Sequence, residues 1–264
     1  MGELSFVGMG LQDENGITLH GLSTAREADE VYVEFYTSMM PRFSIENLRR
    51  LVRKEVGILE RKDLEENAQH TILSRARQRH VVLLTPGDPM SATTHTSLLI
   101  SARKLGIKTN LIDSASIVTA AAGVTGLELY KFGRIVTVPS PATSRIPKST
   151  YRFIQENKRI GLHTLILLDI TEPPLTIPDA IRILTEIESR IEARVLSKDT
   201  MLIALARVGS PDCVVKAGRA EDLEKCDFGD PPHSMILPGR LHFVEAEALY
   251  VLAGAPRQIL EGRE

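Results

Sequence analysis

The chain has 264 residues, 43 % of them hydrophobic and 25 % charged, with 32 basic against 34 acidic side chains and a formal charge of −2. That composition belongs to a globular protein with a substantial core, in one large or two ordinary domains, and argues against a nucleic-acid binder working through a basic face. No apolar run reaches the roughly 18 residues that a membrane helix needs, and the two cysteines, Cys213 and Cys226, imply neither a disulfide framework nor a cysteine zinc site and suit a reducing cytoplasm.

Leu4 to Val7 reads as a first strand, with no basic region before an apolar one to suggest a secretory signal. Gly8-Met9-Gly10-Leu11 follows, then a polar loop. Thr18 to Ala28 has a helical stripe of Leu19, Leu22, Ala25 and Ala28, and Val31 to Tyr36 is a second strand. Ser44 can N-cap a helix through Lys54, whose Arg49, Arg50, Arg53 and Lys54 make a solvated basic face. Val56 to Leu59 is a short strand. Asp63 and Glu66 suggest a capping box for a helix to about Arg79.

The next stretch organises the rest. Val81 to Leu84 is a doubly buried strand that breaks at Pro86-Gly87. Asp88 is placed as a helix N-cap and Pro89 as the first helical residue, with Ala92, Leu98, Leu99, Ala102 and Leu105 as the stripe up to Gly106. Taken alone, this is an ordinary βα turn. In open α/β sheets ligands bind outside the carboxyl ends of such strands, which makes Gly87-Asp88-Pro89 a candidate wall of an active site.

Ile107 to Ile112 is a further strand, and residues 113–116 a linker. Ile117 to Val124 is apolar and small. Ile135 to Val138 is a strand, followed by a proline-marked loop from Ser140 to Ser149 containing Arg145 and Lys148, then a helix from about Thr150 to Lys158. Strands are expected at Thr164 to Leu168, Met201 to Ala206 and Ser234 to Leu237. Ala180, Leu184, Ile187 and Ile191 predict a helix from near Pro178; Val244, Ala248 and Val251 predict the inward face of another over Phe243 to Leu252. The alternation predicts an α/β fold of two domains, 1–113 and 114–264, with parallel-rich sheets.

Chemistry-bearing motifs are sparse. Gly8-x-Gly10 opens like a dinucleotide fingerprint, but Asp13 stands where its third glycine belongs; Glu34 sits where a ribose-binding carboxylate would lie. There is no P-loop and no nucleophile elbow. Asp227, Asp230 and His233 offer metal-ligand types, but Pro231-Pro232 prevents a helical alignment, so the reading is a structured loop without a metal, with His233 kept as a hydrogen-bonding group. Glycine loops without a nucleophile suit a reaction whose reagent brings its own reactivity.

Seven segments together, Gly8-Met9-Gly10-Leu11, Glu34-Phe35-Tyr36-Thr37-Ser38, Thr85-Pro86-Gly87-Asp88-Pro89, Tyr130-Lys131-Phe132-Gly133, Gly161-Leu162-His163-Thr164, Asp227 to His233 and Pro238-Gly239-Arg240-Leu241-His242, resemble the diphthine synthase family of the tetrapyrrole methylase superfamily. The resemblance spans nearly the whole chain. It implies two α/β domains with S-adenosylmethionine in the cleft between them, a cytoplasmic homodimer, and N-methylation of the amino group on the aminocarboxypropyl-modified histidine of translation elongation factor 2, on the way to diphthamide. Matching motifs carry the cofactor site onto Leu11, Asp88, Ser91, Ser116, Ile117, Leu168, Val208 and His233, with no catalytic base and no metal. The alternatives are a precorrin-type tetrapyrrole methyltransferase, a nicotinamide-dependent oxidoreductase resting on Gly8, Gly10 and Glu34, and a non-catalytic protein sensing a nucleoside-like ligand.

Overall fold

The structure is a computed structural model that describes residues 2–140 and 148–260. The chain forms two compact units, Met1–Ile117 and Val118–Glu264.

The first unit contains β1 (Glu3–Gly8), α1 (Leu19–Glu27), β2 (Glu30–Val33), α2 (Ile45–Val52), β3 (Val56–Ile58), α3 (Arg61–Glu65), α4 (Ile72–Ala76), β4 (His80–Thr85), α5 (Thr96–Lys104) and β5 (Lys108–Ile112). Its sheet has the order β3-β2-β4-β1-β5, and every pairing is parallel. The central strands β1 and β4 are buried on both faces, as their unbroken apolar runs require. Side-chain alternation divides the core. Val7, Val33 and Leu84 pack with Ala25, Leu48 and Val52 on one face; Leu4, Phe6 and Leu83 pack with Leu73, Leu98 and Ala102 on the other.

Three expectations fail locally here. The helix expected from Asp63 to Arg79 is two short helices, and the capping box is Glu60 with Asp63 rather than Asp63 with Glu66. Strand β2 ends at Val33, because Glu34 turns its carboxylate onto the Thr37 N–H and hydroxyl and bends the chain. Asp88 is not a helix N-cap and Pro89 is not a first helical residue: α5 begins at Thr96. Asp88 instead accepts from the amides of Met90 (3.0 Å) and Ser114 (3.4 Å), while Ala92, at φ +60°, lies in the turn before the helix.

The second unit contains α6 (Ile117–Thr125, beginning in the first), β6 (Val136–Val138), α7 (Lys148–Arg159), β7 (Thr164–Leu168), α8 (Ile177–Ile191), β8 (Met201–Ala206), β9 (Val214–Arg219), α9 (Ala220–Leu223), β10 (His233–Leu237), α10 (Phe243–Ala253) and α11 (Arg257–Leu260). Its sheet runs β6-β7-β10-β8-β9. Only β6 and β7 are parallel; β10 is antiparallel to β7 and β8, and β8 to β9. The parallel-rich expectation therefore holds for the first sheet and not for the second. Strand β9 is absent from the sequence reading because it is an edge strand, and Lys216 and Arg219 interrupt its apolar pattern toward solvent.

The face of α10 is also corrected. Val244 and Val251 are 50 % and 67 % exposed, and the helix buries Glu245, Leu249 and Ala253 instead. The cause is polar. The Glu245 carboxylate accepts from the His163 ring, the Lys131 ammonium and the backbone amides of Glu128 and His242, which fixes the rotation of the helix. Most of the loop expected from Ser140 to Ser149, Arg145 included, lies outside the described residues. Among the described residues, no helix is long and apolar enough to cross a membrane.

Candidate functional site

In the first unit, two glycine turns lock together where β1 and β4 end. Gly10 donates to the Gly87 carbonyl at 3.1 Å and Gly87 donates to that of Gly10 at 2.7 Å. Both have φ above +70°, a backbone that glycine adopts without penalty. Gly8 admits no side chain, because a Cβ would stand 2.6 Å from the Gly87 oxygen and 2.7 Å from Ser114 Cβ. Gly87 is different. A Cβ there would find only the Ala115 oxygen, at 3.9 Å, so backbone is presented to open space.

Asp88 ties this turn to the segment after β5 through the Ser114 amide, and the Ser114 hydroxyl donates to the Gly16 carbonyl at 3.0 Å. Leu11 follows Gly10 directly, and Ser116 is buried just beyond Ser114, followed by the half-buried Ile117 at the start of α6. Of the five candidate cofactor residues in this unit, Leu11 and Asp88 sit on the bridged turns, and Ser116 and Ile117 follow the strand beside β1. Ser91 lies three residues past Asp88 in the turn before α5, half-buried.

The other three candidates converge at one end of the second sheet. Strand β7 ends at Leu168, and β10 begins at His233. Their antiparallel register pairs Ser234 with Leu167, so His233 stands opposite Leu168. On the other side His233 pairs with Ala206, the last residue of β8, and Val208 is two residues further on. All three are buried. The His233 ring accepts the Ile177 N–H at Nδ1 (3.4 Å), so Nε2 carries the proton, and this buried donor has no partner within the protein. Burial, reinforced by the Arg207 charge, holds the ring's pKa below the usual histidine value, so it is neutral and offers one N–H.

Arg207 organises that end of the sheet. Its guanidinium donates to the carbonyls of Phe228 (2.7 Å) and Asp230 (2.5 Å), and Nε meets Asp212 at 2.6 Å. It thus fills the loop from Asp227 to His233 from within. The Asp227 carboxylate caps the Gly229 amide, and no cluster of metal-ligating side chains occurs among the described residues. The signal was a lone arginine directly after the wholly apolar strand Met201–Ala206.

Glu34 is not a ribose ligand. It is fully buried, with both oxygens engaged by Thr37. Burial raises its pKa to about 7. The residue it approaches is His95, whose Nε2 lies 3.7 Å from Glu34 Oε1.

Three family-like segments meet away from these ends. His163 accepts the Gly239 amide at Nδ1 (2.9 Å) and donates from Nε2 to Glu245 at 2.9 Å, while Lys131 pairs with the same carboxylate. Burial opposes ionisation of Glu245, but the His242 and Glu128 amides, Lys131 and His163 outweigh it and bring its pKa to about 2. This node is structural.

Comparison with known proteins agrees with this architecture. Residues 3–224 match the family model of tetrapyrrole (corrin/porphyrin) methylases. The chain is 44 % identical to the diphthine synthase of Methanosarcina mazei, over 99 % of this chain and 100 % of the relative, and 41 % identical to that of Methanothermobacter thermautotrophicus, over 98 % of each. A crystal structure of diphthine synthase superposes with a TM-score of 0.89 at 43 % identity, covering 97 % of this chain and 98 % of that one. With both sheets and the near-full-length identity in agreement, this chain belongs to the diphthine synthase family of tetrapyrrole methylases.

Proposed function

We propose that this protein is the methyltransferase of diphthamide biosynthesis, acting on translation elongation factor 2 with S-adenosylmethionine as methyl donor. The observation that carries the reading is the near-full-length identity to diphthine synthases. The nicotinamide alternative loses its support, because Glu34 is sealed and the third fingerprint glycine is Asp13, which caps a short 3-10 helix.

The donor site is proposed on the residues that the family resemblance carries. Leu11, Asp88, Ser91, Ser116 and Ile117 in the first unit, and Leu168, Val208 and His233 in the second, are assigned to hold it. Open space at the Gly87 backbone and the orphaned Nε2–H of His233 support that assignment, since a neutral buried donor suits an uncharged acceptor atom of a nucleoside. S-adenosylmethionine supplies an electrophilic methyl group on a sulfonium sulfur. The chain's work is to bind, align and exclude water; such positioning supplies roughly 7–11 kcal/mol in favourable cases. No side chain is assigned as base, so the acceptor amine attacks once it has lost its proton to solvent. The protein is further proposed to be a cytoplasmic homodimer.

The test offers radiolabelled donor with three acceptors: elongation factor 2 bearing the aminocarboxypropyl histidine, the unmodified factor, and a tetrapyrrole precursor. Label is expected on the first alone, and a mass spectrum of the factor counts the methyls. Labelling of the tetrapyrrole instead moves the protein to another branch of its superfamily.

A further inference from the structure

His95 stands at the N-cap position of α5 and makes no cap bond. Its ring turns back instead, with Nδ1 3.1 Å from the carbonyl oxygen of Pro89. A carbonyl only accepts, so Nδ1 carries the proton and Nε2 is a bare lone pair. That Nε2 is buried and has no hydrogen-bond partner in the protein; Glu34 Oε1 lies 3.7 Å from it. Glu34 follows directly on Val33, the last residue paired with β4, and its amide donates to the Leu84 carbonyl at 3.3 Å; His95 lies 6.3 Å from the Phe6 ring, and the Thr85 hydroxyl is likewise buried without a partner. A glutamate and a histidine thus face each other, both buried, with the histidine bonded to the Gly87-Asp88-Pro89 turn. An ionised carboxylate has nothing to give Nε2. A protonated one has the missing donor.

We propose that Glu34 and His95 are a positioning pair for the methyl-donor turn: Glu34 donates one proton to His95 Nε2, which fixes the ring whose Nδ1–H holds the Pro89 carbonyl. The inference rests on the reading that this turn grips S-adenosylmethionine. The contact requires the two groups to close by about 0.8 Å, a side-chain adjustment. The charge balance is simple. When the proton leaves Glu34 for solvent, a carboxylate faces a lone pair and the ring is no longer braced. Burial makes that loss occur near neutrality, with Glu34 titrating at about 7 and His95 kept neutral below its usual range. The other groups facing the pair are Thr37 and Tyr36 beside Glu34, Arg61, which lies over the Tyr36 ring and opposes the rise, and Glu65, bonded to Thr94 and favouring protonated His95.

The test combines three readouts on the intact protein. Nitrogen-15 NMR of labelled histidine reports the His95 tautomer. Calorimetry gives the S-adenosylmethionine affinity from about pH 5.5 to 9, a window that spans the titration. Amide exchange reports the Met90 N–H, which is bonded within the turn. We expect the Nδ1–H tautomer, and an affinity that falls about three- to tenfold as pH rises through neutrality. Glu34→Gln, whose amide donates at every pH, is expected to abolish that fall. His95→Phe weakens affinity about tenfold at all pH values and exposes the Met90 amide; His95→Asn, which keeps a donor for Pro89, recovers to within about threefold without the pH step. An Nε2–H tautomer overturns the proposal. So does a His95→Phe variant with a lower melting temperature but unchanged affinity and exchange. Wild-type protein that binds no S-adenosylmethionine refutes the donor reading alone, and the tautomer and Met90 exchange still decide the pair.

Discussion

The two units each bury a glutamate beside a histidine, and the two pairs behave oppositely. Glu245 sits among donors: two backbone amides, the Lys131 ammonium and the His163 Nε2–H. It is held ionised, with a pKa of about 2. Glu34 is equally sealed but has only Thr37 and the neighbouring backbone to serve it, and burial raises it to about 7. Lack of exposed surface alone therefore does not decide a carboxyl group's charge; the depth of its burial and the donors that offset it decide together. The tautomers follow suit. His163 accepts at Nδ1 and donates at Nε2, whereas His95 donates at Nδ1 and leaves Nε2 open. One pair is closed and holds structure. The other is open and lies against a turn that presents backbone to open space.

Removing Glu245 tests the closed pair most severely. Glu245→Ala leaves Lys131 and two amides without their acceptor, and a loss of about 3–5 kcal/mol is expected on denaturant unfolding. In the wild type, the contribution of Glu245 is complete above its unfolded pKa, near 4.5, and is lost as pH falls toward 2. An unfolding free energy of Glu245→Ala within about 1 kcal/mol of wild type would show that the node is idle.

Glu34→Gln tests the open pair, with the opposite sign. The folded protein keeps a proton on Glu34 that the unfolded chain sheds above about 4.5, so stability from this group is full at lower pH and is lost as pH rises through about 7. The shift corresponds to about 3–4 kcal/mol, and Glu34→Gln is expected to flatten that decline in a series of denaturation midpoints. An unchanged slope would make the two glutamates alike.

Smaller effects are expected at the sheet ends. Gly87→Val places a β-branched residue at φ +72°, with strain of about 1–2 kcal/mol, and its side chain enters the open space there. Donor affinity should fall by more than about tenfold while the fold persists, read by calorimetry beside a melting curve. Last, His233→Phe removes the orphaned donor at the end of the second sheet and keeps ring volume. A drop in affinity of about three- to tenfold, with little change in melting temperature, is the expected result. Equal affinity would confine His233 to packing.

The sequence alone determined the alternation of strands and helices, the doubly buried strand Val81 to Leu84, the glycine turns, and the family. These are local: runs of aliphatic residues, turn residues and contiguous motifs are legible because their partners are sequence neighbours or the solvent itself. Tertiary structure decided everything that depended on a distant partner. It turned α10 over, because Glu245 pairs with Lys131 and His163, 114 and 82 positions away in the chain. It took Asp88 from an N-cap to the Ser114 amide, made the second sheet mostly antiparallel, and sealed Glu34 against His95 across sixty-one positions of chain. Hydrophobic patterning reports which face is covered, but a buried charge goes where its donors are, and only the fold brings those donors together.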